Sequence, residues 1–344
     1  MTQLLQVLCR FVLRKTLVLL PVFLSILVLQ HPAPLLALEL HPGSLGVSTP
    51  QTMASKSGVL AADETWSGTV LLTGDVVVPE GITLTILPGT EVQFLPGYDG
   101  EASGDFPALV ELHIAGSLVA KGTAQQPIRF TSGAASPAPG DWGRIMIESA
   151  SASSHIEHAI VEYATIGITT VTGNLRLNSS QIQRNLQSGL IVGGSGAARI
   201  ENNIISRNAG SGMEVVYYAS PLVLGNVISD NDADGIWLQQ SWEIMPVFHD
   251  NTITGNGRFA LNNETGSDID ATNNEWGTTD TSVLDALIND FNDNAEHGLV
   301  AISSPTIQAE RHITGVEIWS GEQTISRHIW LDSGAYLLLS LIHI

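Results

Sequence analysis

The sequence predicts an all-β solenoid, a chain wound into stacked coils of about 23 residues each. Three stretches repeat an isoleucine, an asparagine and a glycine in one fixed order: NSSQIQRNLQSGLIV, ending at Val192; ENNIISRNAGSGMEV, ending at Val215; and LGNVISDNDADGIWL, ending at Leu238. The segments between the polar positions are short, β-branched and without helical spacing. A fixed period of this kind indicates one structural coil per repeat.

Aligned by column, the repeat predicts an apolar interior, two polar ladders and a tight turn. Parallel strands about 4.8 Å apart place equal positions of successive coils above one another, so asparagines in one column can bond amide to amide. We expect these ladders at Asn203, Asn226, Asn251 and Asn274, and at Asn185, Asn208, Asn231 and Asn256. The interior column is expected at Ile160, Ile182, Ile205, Ile228 and Ile253, closed by Trp276, and the turn at Gly167, Gly189, Gly212 and Gly235, with Ala260 as the exception.

The strings NNIISRNAGSGM, GNVISDNDADGI and DNTITGNGRFAL resemble the right-handed parallel β-helix of the pectate-lyase-like superfamily. The Trp-Ser-Gly start at Trp66, the PGT turn, the QPIRFTS coil and the DWG string are similar to the opening coils of secreted members. The resemblance implies a fold that hosts enzymes, adhesins and structural stalks alike. The Asp pairs and the His and Arg motifs of polygalacturonase-type members are not found in this chain.

The order of segments predicts an exported solenoid. Residues 1–37 combine basic residues, an apolar run and small residues at a cleavage point, which indicates a secretory signal peptide, with an uncleaved anchor as the alternative. Residues 38–58 are expected to be a linker and 59–305 the β-helix, covered by a short helix near 281–292 that begins with Thr281 or Ser282 as its cap. Residues 306–344 repeat the opening strings and are expected to be the truncated start of a second β-helix unit, with the final LSLIHI not expected to be a natural C-terminus.

The composition excludes several classes of partner and chemistry. The chain has 34 acidic and 14 basic residues, a formal charge of −20, so nucleic acids and anionic membrane surfaces are unexpected partners. Its single cysteine, Cys9, lies in the predicted signal peptide, which excludes disulfides, a thiolate nucleophile and cysteine metal sites from the exported part. We expect a monomer in the extracellular space or at the cell surface, without membrane insertion after signal cleavage.

An outward tryptophan is the leading candidate for a binding site. Trp237 lies between two inward residues and is expected to face out, where its ring would stack on a sugar. Its expected neighbours in adjacent coils are Glu214 and Asn262, and Trp242 lies nearby in sequence. The alternative is that Trp237 packs beneath the loop at 239–247.

An acidic turn is the candidate metal site. Asp230, Asp232 and Asp234 alternate before a glycine, like the first half of an EF-hand loop, but Ser241 stands where that loop needs a bidentate Glu. A Ca²⁺ site on one coil and a solvated acidic turn are the two interpretations. No cofactor is required by the sequence, and the histidines show no metal-ligand spacing.

The leading hypothesis is a secreted or cell-surface protein that binds a polysaccharide or cell-surface glycan without catalysis. The alternative is a polysaccharide lyase or glycoside hydrolase that uses the acidic turn. A purely structural spacer is the third possibility.

Overall fold

A computed structural model describes residues 54–148, 153–171, 174–194, 198–239 and 244–302, together with the backbone of 311–313, 316–319, 329–331 and 336–339. The predicted signal peptide and most of the predicted linker lie outside the described residues. Among those that are described, no helix is long and apolar enough to cross a membrane.

The chain is a right-handed parallel β-helix. Its coils have three faces, and the strands of these faces form two long parallel sheets. One sheet contains 17 strands and forms two of the faces, joined by the long strand β3. The first face contains β3 (Thr69–Val78, its first half), β5 (Glu91–Phe94), β8 (Ile128–Ser132), β11 (Ala159–Glu162), β14 (Gln181–Gln183), β17 (Ile204–Ser206), β20 (Val227–Ser229) and β23 (Thr252–Thr254).

The second face follows the first along each coil, and the third face returns the chain to the next coil. The second face contains the other half of β3, β6 (Leu112–Ile114), β9 (Ile145–Ile147), β12 (Ile168–Thr170), β15 (Leu190–Val192), β18 (Met213–Val216), β21 (Ile236–Gln239), β24 (Leu261–Asn263) and β26 (Ile288–Asn289). The third face contains β2 (Glu64–Trp66), β4 (Thr83–Ile86), β7 (Ser117–Lys121), β10 (Ser154–Glu157), β13 (Leu175–Asn178), β16 (Arg199–Glu201), β19 (Leu222–Leu224), β22 (Val247–His249), β25 (Ile269–Asp270) and β27 (Val300–Ala301).

The predicted interior column is correct in four of its five isoleucines and wrong in the first. Ile182, Ile205, Ile228 and Ile253 are stacked in register and fully buried. In the preceding coil, however, Val161 rather than Ile160 pairs with Ile182 and points inward. A shift of one residue moves every side chain of a strand to the opposite face, so Ile160 faces outward.

Both asparagine columns are joined by side-chain hydrogen bonds. Asn203, Asn226 and Asn251 each donate Nδ2 to the Oδ1 of the next asparagine at 2.9–3.0 Å, ending at Asn274. The second ladder, from Asn185 to Asn256, has the same geometry at 2.9–3.0 Å. Each Oδ1 also accepts a backbone N–H of the preceding coil, so these buried amides leave few polar atoms unsatisfied.

The ends of the solenoid differ from the predicted boundaries. Strand β1 (Ala54–Val59) pairs with β3. Residues 54–58, which were assigned to the predicted linker, therefore belong to the solenoid. The helix α1 (Thr281–Leu287) begins with Asp280 as its N-cap instead of Thr281 or Ser282, because the Asp280 carboxylate accepts the N–H groups of Ser282 and Val283. It ends before 292 because Ile288 pairs with Leu261 and is buried in the last coil.

In the predicted second unit, four further strands form two parallel pairs. Strand β28 (Arg311–Ile313) pairs with β30 (Ile329–Leu331), and β29 (Val316–Trp319) pairs with β31 (Tyr336–Leu339). Parallel pairing is what the start of another β-helix unit requires.

Candidate functional site

One line of outward side chains runs along the second face. Parallel pairing places one such residue of each coil above the last, and we name this line the outward column. It contains Val77, His113, Met146, Thr169, Ile191, Glu214, Trp237, Asn262 and Asn289. Since neighbouring strands lie about 4.8 Å apart, the five steps from His113 to Trp237 cover about 24 Å. The column therefore has a charged end and an aromatic end.

At the aromatic end, Trp237 faces outward, as its position between the fully buried Ile236 and Leu238 predicts. Its ring is half-buried, and its indole nitrogen is buried without a hydrogen-bond partner among the described residues. The segment 240–243, and with it Trp242 and the centre of the 239–247 loop, lies outside the described residues.

The residue beside Trp237 is Glu214, as the column alignment predicts. Its carboxylate accepts hydrogen bonds from the Ser188 hydroxyl and from Gln239 Nε2, the latter at 2.9 Å. These two donors fix the orientation of a half-buried carboxylate, whose remaining lone pairs can accept hydrogen bonds from sugar hydroxyl groups.

The third predicted contact, Asn262, is in the predicted column but cannot reach a ligand. It is fully buried, and its Nδ2 donates to Asp234 Oδ2 at 3.1 Å and to Glu264 Oε1 at 3.2 Å. Its Oδ1 accepts from Asn289 at 2.6 Å. The expectation of glycan contact from Asn262 is therefore wrong, because the side chain is fully buried and its amide is bonded to neighbouring residues.

Two exposed tyrosines extend the aromatic end. Tyr217 and Tyr218 lie in the turn after β18, the strand that pairs with the strand of Trp237. Their exposed fractions are 55% and 64%. Large aromatic rings held at the surface offer their faces to apolar patches of a ligand while their hydroxyl groups remain hydrated.

The acidic turn does not bring its three carboxylates together. Asp230 and Asp232 are exposed, whereas Asp234 is fully buried and accepts from Phe259 N at 3.1 Å and from Asn262. Arg258 lies 3.5 Å from the same carboxylate. Asp230 has a φ of 56°, so the backbone turns at this residue, and its carboxylate accepts a hydrogen bond from the Ser229 hydroxyl at 3.2 Å. This geometry does not favour the predicted calcium site.

The charged end contains a cluster that the sequence analysis missed. By extension of the strand register, Asp75, Glu111 and Arg144 occupy in the first coils the column that Gly167 holds in the next coil. Asp75 and Glu111 are fully buried, and Arg144 Nε donates to Glu111 Oε1 at 3.0 Å. The insertion at 95–110 breaks the period here, which is why column alignment did not reach these residues.

The cluster anchors that insertion. Asp75 Oδ2 accepts from both the N–H and the hydroxyl of Ser103 at 2.9 Å, and Glu111 Oε2 accepts from Phe106 N at 2.9 Å. The Arg144 guanidinium bonds to Asp105 and lies 5.3 Å from the centroid of the Phe106 ring. Buried carboxylates bonded in this way hold a loop against the solenoid.

His113 connects the cluster to the outward column. Its Nδ1 lies 3.3 Å from Glu148 Oε1, and its buried Nε2 lies 3.8 Å from Glu111 Oε2. The nearby Glu111 carboxylate raises the pKa of His113 to about 9, against the opposing effect of burial and with a further contribution from Glu148. At neutral pH the ring is therefore a cation that faces two carboxylates.

Among the described residues, Asp75, Glu111 and His113 are the one group of acidic and histidine side chains whose donor atoms lie within 4.8 Å of one another. Such a set could hold a divalent cation. Both carboxylates, however, already accept from backbone N–H groups, and the protonated His113 supplies positive charge. The cluster is accounted for by loop anchoring.

Comparison with protein-family models agrees with the fold. Residues 141–276 match a family model described as a right handed beta helix region. The crystal structure of the periplasmic alginate epimerase AlgG is 12% identical, with a TM-score of 0.36, over 81% of this chain and 73% of the epimerase chain. A single-substitution variant of that epimerase gives the same identity and TM-score over 81% and 70% of the two chains. No match to a curated protein is found.

Proposed function

We propose that this chain is a secreted or cell-surface protein that binds a neutral glycan along the outward column of the second face. One observation carries the proposal: Trp237 faces outward beside the oriented carboxylate of Glu214, next to two tyrosines that are more than half exposed. Aromatic faces pack on the axial hydrogens of a pyranose, and a carboxylate accepts hydrogen bonds from its hydroxyl groups.

The regular stacking of the coils supports an extended ligand. Ile191, Glu214 and Trp237 are partly exposed in three successive coils, about 4.8 Å apart, so a linear polymer can contact all three. The carboxylates of Glu214 and Glu148 on this face favour a neutral chain of sugars over an acidic one.

A second candidate function is acid–base modification of the same glycan, and His113 is the observation that favours it. A group with a pKa of about 9 is protonated at neutral pH, so His113 would act as a general acid or as a stabiliser of developing negative charge, not as a base. The buried Asp75 and Glu111 are out of reach of a ligand, which leaves Glu148, with 39% of its side chain exposed, as the accessible carboxylate. Binding is preferred because the buried groups already hold the loop.

The test is an array of neutral and acidic glycans probed with the purified protein, once with Ca²⁺ and once with chelator. The same samples are assayed for unsaturated and reducing-end products. Tyr218→Ala should weaken binding, whereas Phe291→Ala, which removes a comparably exposed aromatic ring at the capped end, should not. Retention without product supports binding; product release moves the protein to the lyase or hydrolase class. Equal retention of both variants and the parent would contradict the proposed face.

A further inference from the structure

A basic column on the third face is separate from the site described above. His155, Arg176 and Arg199 occupy one outward position in three successive coils, and Leu222 and Val247 occupy it in the next two. Like charges directly opposite each other on neighbouring strands destabilise a sheet. The fold accepts apolar side chains at this position, so the stacked arginines are not required for folding.

Three residues of this column, Arg176, Arg199 and Leu222, line a depression of about 510 Å³. Arg176 and Arg199 line its centre, Ser153 and Ser220 line its two ends, and Leu222 supplies an apolar surface. These residues belong to four successive coils, a span of about 14 Å along the solenoid axis. A space of this length and polarity fits two or three sugar units.

Both guanidinium groups have hydrogen-bond donors to spare. No acidic side chain of the described ranges lies within 4.0 Å of Arg176. Arg199 donates Nη2 to Glu201 Oε1 at 2.6 Å and keeps 44% of its side chain exposed, which leaves its other N–H groups for a ligand. At one end, Ser220 Oγ accepts from Met245 N, so its hydroxyl hydrogen is available to donate.

Basic residues are concentrated at this column although the chain is acidic. The pKa of the neighbouring His155 is lowered, first by burial and then by the charges of Lys121 and Arg176. Glu157 and Glu201 lie in the adjacent outward column and offset part of this charge. At physiological salt the Debye length is about 8 Å, so acidic groups on the other faces are largely screened from a ligand bound here.

We propose that this depression binds the carboxylate or sulfate groups of an acidic polysaccharide that runs along the solenoid axis, with Arg176 and Arg199 as its principal contacts. A planar guanidinium can donate two parallel hydrogen bonds to an oxyanion. An anion between the two arginines also removes their mutual repulsion. The third face then differs from the second, where neutral hydroxyl groups are the ligand.

The test measures binding of the full chain to three polymers by calorimetric titration: neutral dextran, dextran sulfate and polygalacturonate. The first two share a backbone and differ in sulfation, and the third presents carboxylates. The double variant Arg176→Gln/Arg199→Gln removes both charges. Arg207→Asn is the matched control, since Arg207 is an exposed arginine on another turn, and its φ of 57° is one that asparagine tolerates.

The expected result is that at least one acidic polymer binds more tightly than dextran. The double variant should bind that polymer at least about tenfold more weakly, and Arg207→Asn should bind it as the parent does. Preference for dextran sulfate or for polygalacturonate identifies sulfate or carboxylate as the recognised group. Equal affinity of the double variant and the parent, or no binding of either acidic polymer, would overturn the proposal. A variant of Trp237 should keep this binding, which separates failure here from failure of the second-face site.

Discussion

Asn208 donates its side-chain amide to the Oδ1 atom of Asn231 at 2.9 Å, in the middle of a ladder that crosses four coils. The same Nδ2 reaches the carbonyl of Ile182 at 3.2 Å, and Asn208 Oδ1 accepts from both the backbone and the side chain of Asn185. Each inner asparagine thus bonds to the coil before it and to the coil after it.

Asn208→Ala should lower the free energy of unfolding by about 2 kcal/mol or more. The substitution leaves buried donors and acceptors of Asn185 and Ile182 without partners, and each such group costs about 1–3 kcal/mol. The measurement is urea denaturation beside Asn292→Ala, an exposed asparagine near the capped end. Equal midpoints for the two variants would show that the ladder does not stabilise the coils.

Gly212→Ala should destabilise the turn between the first and second faces. An added Cβ would lie 2.6 Å from Ile228 Cγ2, 2.7 Å from Asn231 Nδ2 and 2.8 Å from the carbonyl of Gly235. Overpacking of this kind costs about 1–3 kcal/mol. Gly266→Ala is the control, because the only contact of its Cβ within 4 Å is at 3.8 Å. A Gly212→Ala protein as stable as the control would disprove close packing of the turns.

Asp75→Asn should release the insertion at 95–110. In asparagine, Nδ2 replaces the carboxylate oxygen Oδ2 and cannot accept the hydrogen bond from the Ser103 N–H group. One anchor of the loop is therefore lost. Limited proteolysis should then cut near Ser103 and Phe106 faster than in the parent or in Asp285→Asn, an exposed aspartate in α1. Unchanged cleavage in this segment would mean that the buried charges do not hold the loop.

The stability of the protein should depend on His113 at alkaline pH. Its pKa is raised from 6.5 to about 9 in the fold, so the protonated ring stabilises the native state. This contribution is complete below about pH 6.5 and is lost as the pH rises through about 9. The melting temperature of the parent should fall across that window, and that of His113→Gln should fall less. Parallel curves, or a His113 ring that titrates near 6.5, would refute the assignment.

The regular coils could be predicted from the sequence because their period is visible in it. The asparagine positions repeat every 23 or 25 residues from Asn203 to Asn274, and the outward position of Trp237 follows from alternation around Ile236 and Leu238. The prediction of the interior column was wrong at Ile160. The preceding coil is irregular, and a shift of a single residue decides which side chain points inward.

The charged cluster could not be predicted because it depends on an insertion. Glu111 lies 36 residues after Asp75 and Arg144 lies 33 residues after Glu111, intervals that exceed the regular period. The signal was nevertheless present, since each of the three comes directly before an apolar three-residue stretch or a strand that begins with Leu112, as each column glycine comes before an apolar residue. Conversely, the alternate carboxylates of Asp230, Asp232 and Asp234 suggested a common site, but burial of Asp234 against Asn262 separates them.

The affinity of Trp237→Ile for the neutral glycan that is best retained on the array tests the central claim most directly. Isoleucine already occupies the outward column at Ile191, so the substitution suits the strand and removes only the aromatic face. The account predicts a dissociation constant at least about tenfold higher than that of the parent, with Phe291→Ala unchanged. A Trp237→Ile protein that folds and binds as tightly as the parent would contradict a glycan site on the second face.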